Sequence, residues 1–260
     1  MYKNTDHTFA VCAYKESEFL PACIESLFSQ SVKSKIIICT STPNEHIRSI
    51  AEKYEVSLKI NNRNPSIYGD WNFAYSQVKT KLITLAHQDD IYAPEYLKTA
   101  LSLLNKSKKT IIFFSHYAEI RDAEIVYKNK LLNIKKLMLK PLKFFKNSVF
   151  IRRRVLSLGN PICCPSVMYT ELNNLEFSDE YSTSLDWELW ERLSRRKGSF
   201  VYCEKPLIYH RIHKNSETSS TIEKGVRSHE DYRMFRLFWG KSIAALLAKW
   251  YSKSEESNNV

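Results

Sequence analysis

The sequence predicts an α/β fold in which a mostly parallel sheet is flanked by helices and followed by a helical C-terminal extension. Short apolar runs alternate with amphipathic stretches between residues 7 and 117, and repeated β–α units of this kind build parallel sheets. Of the 260 residues, 43% are hydrophobic and 26% are charged. This globular composition excludes a wholly disordered or fibrous chain. Residues 221–251 show helical spacing again, which predicts the extension.

The individual elements can be assigned in chain order. The predicted strands cover 9–13, 36–39, 56–60, 82–86 and 110–114, with a short apolar run at 165–169. The predicted helices cover 20–28, 44–54, 69–79, 94–104 and 184–195. The β-branched run 36–39 suits a strand buried on both faces. Pro21 fits the first turn of a helix, and Asn44 is a typical N-cap residue.

The chain is strongly basic. Its 39 Lys and Arg residues outnumber 28 Asp and Glu residues, which gives a net charge of +11. Residues 125–170 contain no acidic residue. Such a surface favours polyanions, whether nucleic acid, anionic lipid or a phosphorylated small molecule. The six cysteines include no CxxC pair, so they are interpreted as reduced core thiols rather than a zinc site or a disulfide framework.

Two adjacent carboxylates, Asp89 and Asp90, follow the predicted strand 82–86. Ligands of parallel sheets bind beyond the carboxyl ends of the strands. Adjacent carboxylates repel each other, and a hard divalent cation relieves that repulsion. The alternative is a solvated acidic turn that caps the next helix.

A second acidic group, Asp186, lies near the start of the predicted helix 184–195. It shares helical spacing with Leu189, Trp190 and Leu193 and should face inward, either as a partner of the helix dipole or as a site residue. Outward positions are predicted for Glu188, Glu191, Arg192 and Arg195. In the third candidate segment, 209–216, Arg and His side chains such as Arg211 could meet a diphosphate, or His213 could ligate a metal. The alternative is an ordinary basic exit from a strand.

Taken in order, these pieces resemble family 2 glycosyltransferases of the GT-A fold, the inverting type common in bacterial polysaccharide synthesis. The matching segments are 13–16, 20–31, 71–72, 88–90, 186–190 and 209–216. The resemblance covers roughly residues 7–220. It implies a GT-A domain over 1–220, divided into a nucleotide-sugar-binding half (1–117) and an acceptor-binding half (118–220), and an extension over 221–260.

The resemblance also implies roles for particular residues. Asp186 would be the catalytic base, and Asp90 and His213 would bind Mg²⁺ or Mn²⁺. The implied donor-binding residues are Ala13, Tyr14, Glu16, Thr40, Asn72, Gln88, Asp89 and Arg211. The implied reaction transfers a sugar, with UDP as the expected carrier, to a hydroxyl of a glycan or lipid-linked glycan in the synthesis of a cell-surface polysaccharide.

Two departures from the family pattern affect the expected contacts, and the absence of a third motif bears on the mode of transfer. Residues 40–43 read Thr-Ser-Thr-Pro where many relatives carry an aspartate, so hydroxyls or backbone would replace a carboxylate contact to the base. The acidic motif begins with His87, so the metal contact must rest on Asp89 or Asp90; Asp90 is favoured, with Asp89 near the ribose. The QxxRW motif of processive polymerases is absent, which favours the addition of one sugar per encounter.

Location and rival functions complete the predictions. No secretory signal or spanning apolar run of about 18 residues is visible, so a cytoplasmic protein is expected. Peripheral contact with the anionic inner face of the cell membrane is a further expectation for the basic segment 131–154 and the helical segment 221–251, whose alternative is a core helix with a solvated basic face. The rivals are a degenerate donor-binding protein, a nucleotidyltransferase and, on charge alone, a nucleic-acid-binding protein; no nucleic-acid partner is expected.

Overall fold

The structure, a computed structural model, describes residues 1–63, 65–170, 175–213 and 226–256, and the strands of these residues form one nine-stranded sheet. The strands are β1 (His7–Cys12), β2 (Lys35–Thr40), β3 (Ser57–Ile60), β4 (Leu82–His87), β5 (Ile91–Tyr92), β6 (Thr110–Arg121), β7 (Glu124–Val126), β8 (Met168–Thr170) and β9 (Ser199–Arg211). Their order is β3-β2-β1-β4-β8-β6-β9-β5, with β7 paired to β6. The predicted α/β fold is confirmed.

The sheet consists of two blocks, and the strands within each block pair in parallel. Strands β1 to β4 form a parallel block in which β1 pairs with both β2 and β4. The other block is the long parallel pair of β6 and β9. Strand β8 joins the blocks because it runs antiparallel to both β4 and β6.

Ten α-helices are found in the described residues. They are α1 (Leu20–Phe28), α2 (Glu45–Lys53), α3 (Ile67–Ser76), α4 (Tyr96–Asn105), α5 (Lys130–Leu139), α6 (Leu142–Phe145), α7 (Val149–Leu156), α8 (Leu185–Ser194), α9 (Val226–Arg236) and α10 (Lys241–Glu256). The predicted cap is present at α2, where the Asn44 side chain accepts a hydrogen bond from the Ile47 amide. None of the described helices is long and apolar enough to cross a membrane.

The helices cover both faces of the sheet. Alternate residues of β1 belong to different cores: Phe9 and Val11 pack with α1, α2 and α4, whereas Ala10 packs on the opposite face with α3, α8 and the C-terminal helices. This is the period-two alternation expected of a strand buried on both sides. The second core includes Trp187, Trp190 and Phe235.

Three features differ from the sequence-based assignment. Strand β6 continues to Arg121, well beyond the predicted end at 114, because the long strand β9 pairs with it through register shifts. The C-terminal segment forms two helices separated near Gly240 rather than one. Glu191 does not point outward; its carboxylate is 3% exposed and pairs with Arg153 and Arg195. Residues 214–216 and 221–225 of the predicted segments lie outside the described residues.

Candidate active site

A cavity of about 710 Å³ is lined by the acidic segments from both halves of the chain. Asp89 reaches it from the loop after β4, and Asp186 reaches it from the first turn of α8. His210 and His213 enter from the end of β9. The cavity thus lies beyond the carboxyl ends of central strands, which is where α/β sheets bind their ligands.

The acidic loop is held in place by the end of β9. Strand β5 runs antiparallel to β9, with Ile91 opposite Tyr209, so the residues flanking this pair meet. Asp90 Oδ1 accepts hydrogen bonds from the Arg211 amide at 3.0 Å and from His210 Nδ1 at 2.8 Å. Asp89 Oδ2 lies 3.0 Å from His213 Nε2.

These contacts set the charge of the loop. Burial alone lowers the pKa of His210, but the Asp90 carboxylate outweighs burial and raises that pKa to about 8. Burial alone raises the pKa of Asp89, yet the hydrogen bond with His213 and the nearby histidines lower it overall. The Asp89 carboxylate therefore has hydrogen-bonding and positively charged neighbours that favour its ionised form.

The loop also has the geometry of a metal site. Ligand atoms of His87, Asp89 and Asp90 all lie within 4.8 Å of one another. Asp90 Oδ2 and His87 Nε2 are buried and have no hydrogen-bond partner among the described residues. Buried polar atoms without partners are costly, and a divalent cation would satisfy both, so the donor set fits such a group.

Asp186 is a half-buried carboxylate that also lines the cavity. Its Oδ2 accepts a hydrogen bond from Asn160 Nδ2 at 2.8 Å, and its Oδ1 accepts one from the Trp187 amide at 2.7 Å. Burial raises its pKa above that of an ordinary aspartate, although these two hydrogen bonds act in the other direction. A carboxylate with a raised pKa that faces a cavity has the properties of a general base.

Comparison with known proteins shows the family. A sequence profile described as "Glycosyltransferase like family 2" matches residues 5–229. The chain belongs to this family. Two uncharacterized glycosyltransferases are similar to it: one from Rickettsia prowazekii is 23% identical over 84% of this chain and 67% of its own length. One from Methanocaldococcus jannaschii is 24% identical over 96% and 81%.

Two solved structures show the same fold. S. aureus TarS 1-349 in complex with UDP-GlcNAc matches with a TM-score of 0.65 and 15% identity, over 93% of this chain and 70% of TarS 1-349. The mannosyltransferase PcManGT from Pyrobaculum calidifontis, in complex with GDP-Man and Mn²⁺, matches with a TM-score of 0.63 and 11% identity, over 98% and 74%. The protein is therefore a GT-A enzyme of glycosyltransferase family 2.

Part of the expected donor site of this glycosyltransferase lines the cavity. Ala13, Tyr14 and Gln88 all contribute to its wall. The Tyr14 amide donates to Gln88 Oε1 at 2.9 Å, and Gln88 Nε2 donates back to the Tyr14 carbonyl at 3.0 Å. This reciprocal pair ties the loop after β1 to the acidic loop after β4.

Other expected donor and metal residues lie behind the wall or away from it. Thr40 is buried and its hydroxyl accepts a hydrogen bond from the Thr42 amide, whereas Glu16 is exposed outside the cavity lining. Asn72 exchanges two hydrogen bonds with the backbone of Phe177. Asp90, the favoured metal ligand, is fully buried beneath Asp89.

Arg211 is also turned away from the cavity lining. Its guanidinium stacks over Phe19 at 4.3 Å from the ring centre, and its Nε donates to the Asp89 carbonyl at 3.1 Å. Arg211 therefore supports the acidic loop from behind. His213 contacts Asp89 directly, while the third ligand atom of the metal-like group comes from His87.

Several cavity residues have no clear signal in the sequence. Asp70 of α3 lines the cavity and accepts hydrogen bonds from Ser41 and Asn61. It therefore brings a carboxylate to the loop after β2, where the family's usual aspartate is missing. Lys135 is on the inner face of α5, four residues after Leu131, and its Nζ donates to the Tyr117 hydroxyl at 2.9 Å. The helical spacing of Leu131 and Lys135 could have indicated that Lys135 faces inward. The segment 125–170 contains ten basic residues, however, so the spacing did not single out this lysine.

Proposed function

We propose that this glycosyltransferase moves a sugar from a nucleotide-sugar donor, with UDP as the first carrier to test, to a hydroxyl of a glycan or lipid-linked glycan, with inversion. The observation that carries the proposal is that Asp186 and the Asp89–Asp90 loop line or underlie one cavity although they are distant in sequence. The neighbours that bind UDP-GlcNAc and GDP-Man support a nucleotide-sugar donor.

Asp186 would take the proton from the acceptor hydroxyl. Asn160 orients its carboxylate, and burial raises its pKa, which makes it a stronger base than an exposed aspartate. The acceptor oxygen forms a bond to the anomeric carbon as the bond from that carbon to the nucleoside diphosphate breaks on the opposite face. A single displacement of this kind inverts the anomeric configuration.

The acidic loop would bind the donor's diphosphate end. When bound by His87, Asp89 and Asp90, Mg²⁺ or Mn²⁺ supplies Lewis-acid neutralisation of the departing diphosphate. The chain's own contribution is to hold these ligands: His210, His213 and the Arg211 amide fix both carboxylates. We infer Asp89, which lines the cavity, as a ligand alongside the more deeply buried Asp90.

The test is a sugar-transfer assay with a panel of nucleotide sugars and polyprenyl-diphosphate-linked or free glycan acceptors. Asp186→Asn should lower turnover by about 10²–10⁴-fold while UDP binding, measured by titration calorimetry with Mn²⁺, stays unchanged. Glu188→Gln, on the same helix but paired with Arg192, is the matched control. A wild-type protein that binds UDP but transfers no sugar would favour the degenerate-protein alternative, and loss of UDP binding in Asp186→Asn would contradict the assigned role.

We also propose that the enzyme works against an anionic membrane surface. Helices α5–α7 expose large apolar side chains among basic ones: Leu137 is 68% exposed, Phe144 71% and Phe150 67%. The acid-free segment 125–170 surrounds them with positive charge. On α10, Leu246 and Trp250 are also exposed. Exposed aromatic and aliphatic groups flanked by lysine and arginine suit the interface of anionic lipids.

The predicted apolar face of segment 221–251 is divided by the fold. Phe235 is 1% exposed and packs in the core, and Trp239 packs against the same core, whereas Ile243, Leu246 and Trp250 are exposed. The Arg154 guanidinium lies between Phe150 and the Trp239 ring, at 5.5 and 5.0 Å from their centres. Arg154 therefore links the exposed Phe150 of α7 to the partly buried Trp239 of the C-terminal segment.

Vesicle co-sedimentation tests this part of the proposal. The enzyme should bind anionic phosphatidylglycerol vesicles and should bind uncharged phosphatidylcholine vesicles far less. The assay is done at low salt because salt screens the basic surface. The double variant F144S/F150S should reduce binding strongly, whereas F28S, which removes an exposed aromatic ring from α1, should not. Equal binding by both variants, or none by the wild type, would overturn it.

A further inference from the structure

A single buried carboxylate from the C-terminal helices holds the start of α8. Glu230, on α9, is 6% exposed. Its Oε1 accepts hydrogen bonds from the Ser182 amide at 2.8 Å and the Ser182 hydroxyl at 2.7 Å. Its Oε2 accepts from the Thr183 amide, the Thr183 hydroxyl and the Ser184 amide at 2.8, 2.7 and 3.0 Å. Five donors from three consecutive residues thus converge on one side chain.

These contacts fix the three residues that lead into α8. Ser184 occupies the N-cap position of α8, but its side chain makes no capping hydrogen bond. Glu230 supplies negative charge at this helix start, where the backbone amides and the helix dipole favour an anion. Burial alone would raise the pKa of Glu230, but the hydrogen bonds from Ser182 and Thr183 lower it overall. The carboxylate is therefore ionised and charge-assisted in its bonds.

The segment held by Glu230 leads directly to Asp186. Only Leu185 separates Ser184 from Asp186, so a shift of the helix start moves the carboxylate that faces the cavity. A second contact from the same pair of helices acts on the other side of Asp186. The Asn160 amide donates to the Tyr251 hydroxyl at 3.3 Å, and Asn160 Nδ2 donates to Asp186 Oδ2.

We propose that Glu230 is a positioning residue for Asp186, so that the C-terminal helices α9 and α10 form part of the catalytic apparatus rather than an appendage to it. The proposal rests on the assignment of Asp186 as the catalytic base. Glu230 itself is absent from the cavity lining. It acts through the 182–184 segment, and its loss should impair the chemical step while leaving the donor's nucleotide site intact.

Glu230→Gln tests this proposal with little change in side-chain volume. The variant removes hydrogen bonds because the amide nitrogen of glutamine cannot accept those that one carboxylate oxygen accepted. We expect kcat to fall about 10–100-fold, the range for a small misplacement of a catalytic group, with the donor KM and the UDP affinity unchanged. Glu180→Gln is the matched control. Glu180 is an exposed carboxylate that contacts Arg233 on the same helix α9, and its substitution should leave kcat unchanged.

A second measurement keeps the result interpretable when activity is low. In Glu230→Gln, amide hydrogen exchange should accelerate at 182–190 and stay unchanged in the Asp89–Asp90 loop; Glu230→Asp should restore part of both kcat and protection. Unchanged exchange at 182–190, or a kcat equal to wild type, would overturn the proposal. So would a fall in kcat matched by an equal loss of UDP binding, because that indicates general unfolding. If Asp186→Asn retains full activity, Asp186 is not the catalytic base and the proposed function is overturned. The hydrogen-exchange result then tests only whether Glu230 orders residues 182–190.

Discussion

Asp186 owes its ionisation behaviour to two opposing influences. Burial raises its pKa, and the hydrogen bond from Asn160 restrains the rise. Because the base must be deprotonated to accept a proton, sugar transfer should decline as the pH falls through this raised pKa, at a higher pH than for an exposed aspartate. The acid limb of kcat/KM is thus a direct report on the environment of this carboxylate.

Asn160→Ala should move that acid limb to higher pH, since it removes a hydrogen bond that favours the ionised form. The measurement is the pH dependence of kcat/KM for the wild type and the variant. The exposed Asn147 offers a matched control, and Asn147→Ala should leave the profile in place. A shift toward lower pH in Asn160→Ala would contradict the assigned hydrogen bond.

His7 should make the fold sensitive to acid. Burial lowers its pKa from 6.5 to about 3, and its ring nitrogens bond to the hydroxyls of Ser34 and Thr84. Between pH 6.5 and pH 4 the His7 side chain is therefore protonated in the unfolded chain but neutral in the folded chain. The free energy of unfolding should fall by about 3 kcal/mol over this range.

Denaturant titrations across that pH range provide the measurement. The variant His7→Asn should be less stable at pH 7 but should show a flatter dependence between pH 6.5 and 4. His229→Asn, at an exposed position, should keep the wild-type slope. Identical slopes in all three proteins would show that His7 does not carry this acid sensitivity.

At the level of elements, α8 is held at both ends by buried charges of the sign that its dipole favours. Glu230 lies at its start, and the guanidinium of Arg152 from α7 lies just past its end. Arg152 is 0% exposed. It donates to the carbonyls of Arg196 and Gly198 at 2.7 and 2.5 Å, and cations stabilise helix C-termini.

Arg152→Met should lower the free energy of unfolding by about 3 kcal/mol, because two buried carbonyls lose a charged donor. Chemical denaturation measures the loss. Arg154→Met, on the exposed face of the same helix, should cost less than about 1 kcal/mol, even though it ends the stacking on Phe150 and Trp239. Similar losses of unfolding free energy in both variants would contradict this prediction, because they would reflect a general effect on α7 and not the contacts of Arg152 beyond the end of α8.

Local patterns predicted the parallel block well and the second half less well. The run 36–39 and the cap at Asn44 each depend on neighbouring residues, and the structure has both features where they were expected. Strand β9 contains Glu204, Lys205 and Pro206, which weaken any strand pattern; it is completed by pairing with β6 along most of its length. Pairing between distant segments is not encoded in local spacing, so such strands escape a sequence-based reading.

The candidate site was also predictable only in part. The acidic loop and Asp186 stand out because carboxylates at a strand end and at a helix start are conspicuous. Asp70 and Asn160 were missed because their role depends on which side chains meet across the cavity. The hydrogen bonds of Asn72 with the Phe177 backbone could not be foreseen either, because a polar residue on a helix does not reveal its partner; its donor contact stays a prediction.

For the whole molecule, the predicted boundary at residue 220 lies outside the described residues, but the helices that follow it pack against α8. Phe235 of α9 packs against Trp187 of α8 at 5.1 Å and Tyr251 of α10 at 5.8 Å between ring centres. The wild type should therefore unfold in one transition, with tryptophan fluorescence and far-UV circular dichroism coinciding.

Phe235→Ala should lower stability by about 3–5 kcal/mol, the usual cost of emptying a buried aromatic site, and should keep a single transition. Leu237→Ala, at an exposed position on the same segment, is the control and should change little. Two separate transitions in either protein would show that residues 1–220 form an independent folding unit.

The contact between Gly159 and Tyr251 has an evolutionary consequence. Gly159 has a φ of +136°, and a β-carbon there would lie 2.7 Å from the tyrosine ring, so the backbone and the packing both require glycine. Homologues that keep an aromatic side chain at position 251 should carry glycine at 159. Lineages that have lost the last helix keep only the backbone half of that constraint, so any substitution of this glycine should be confined to them.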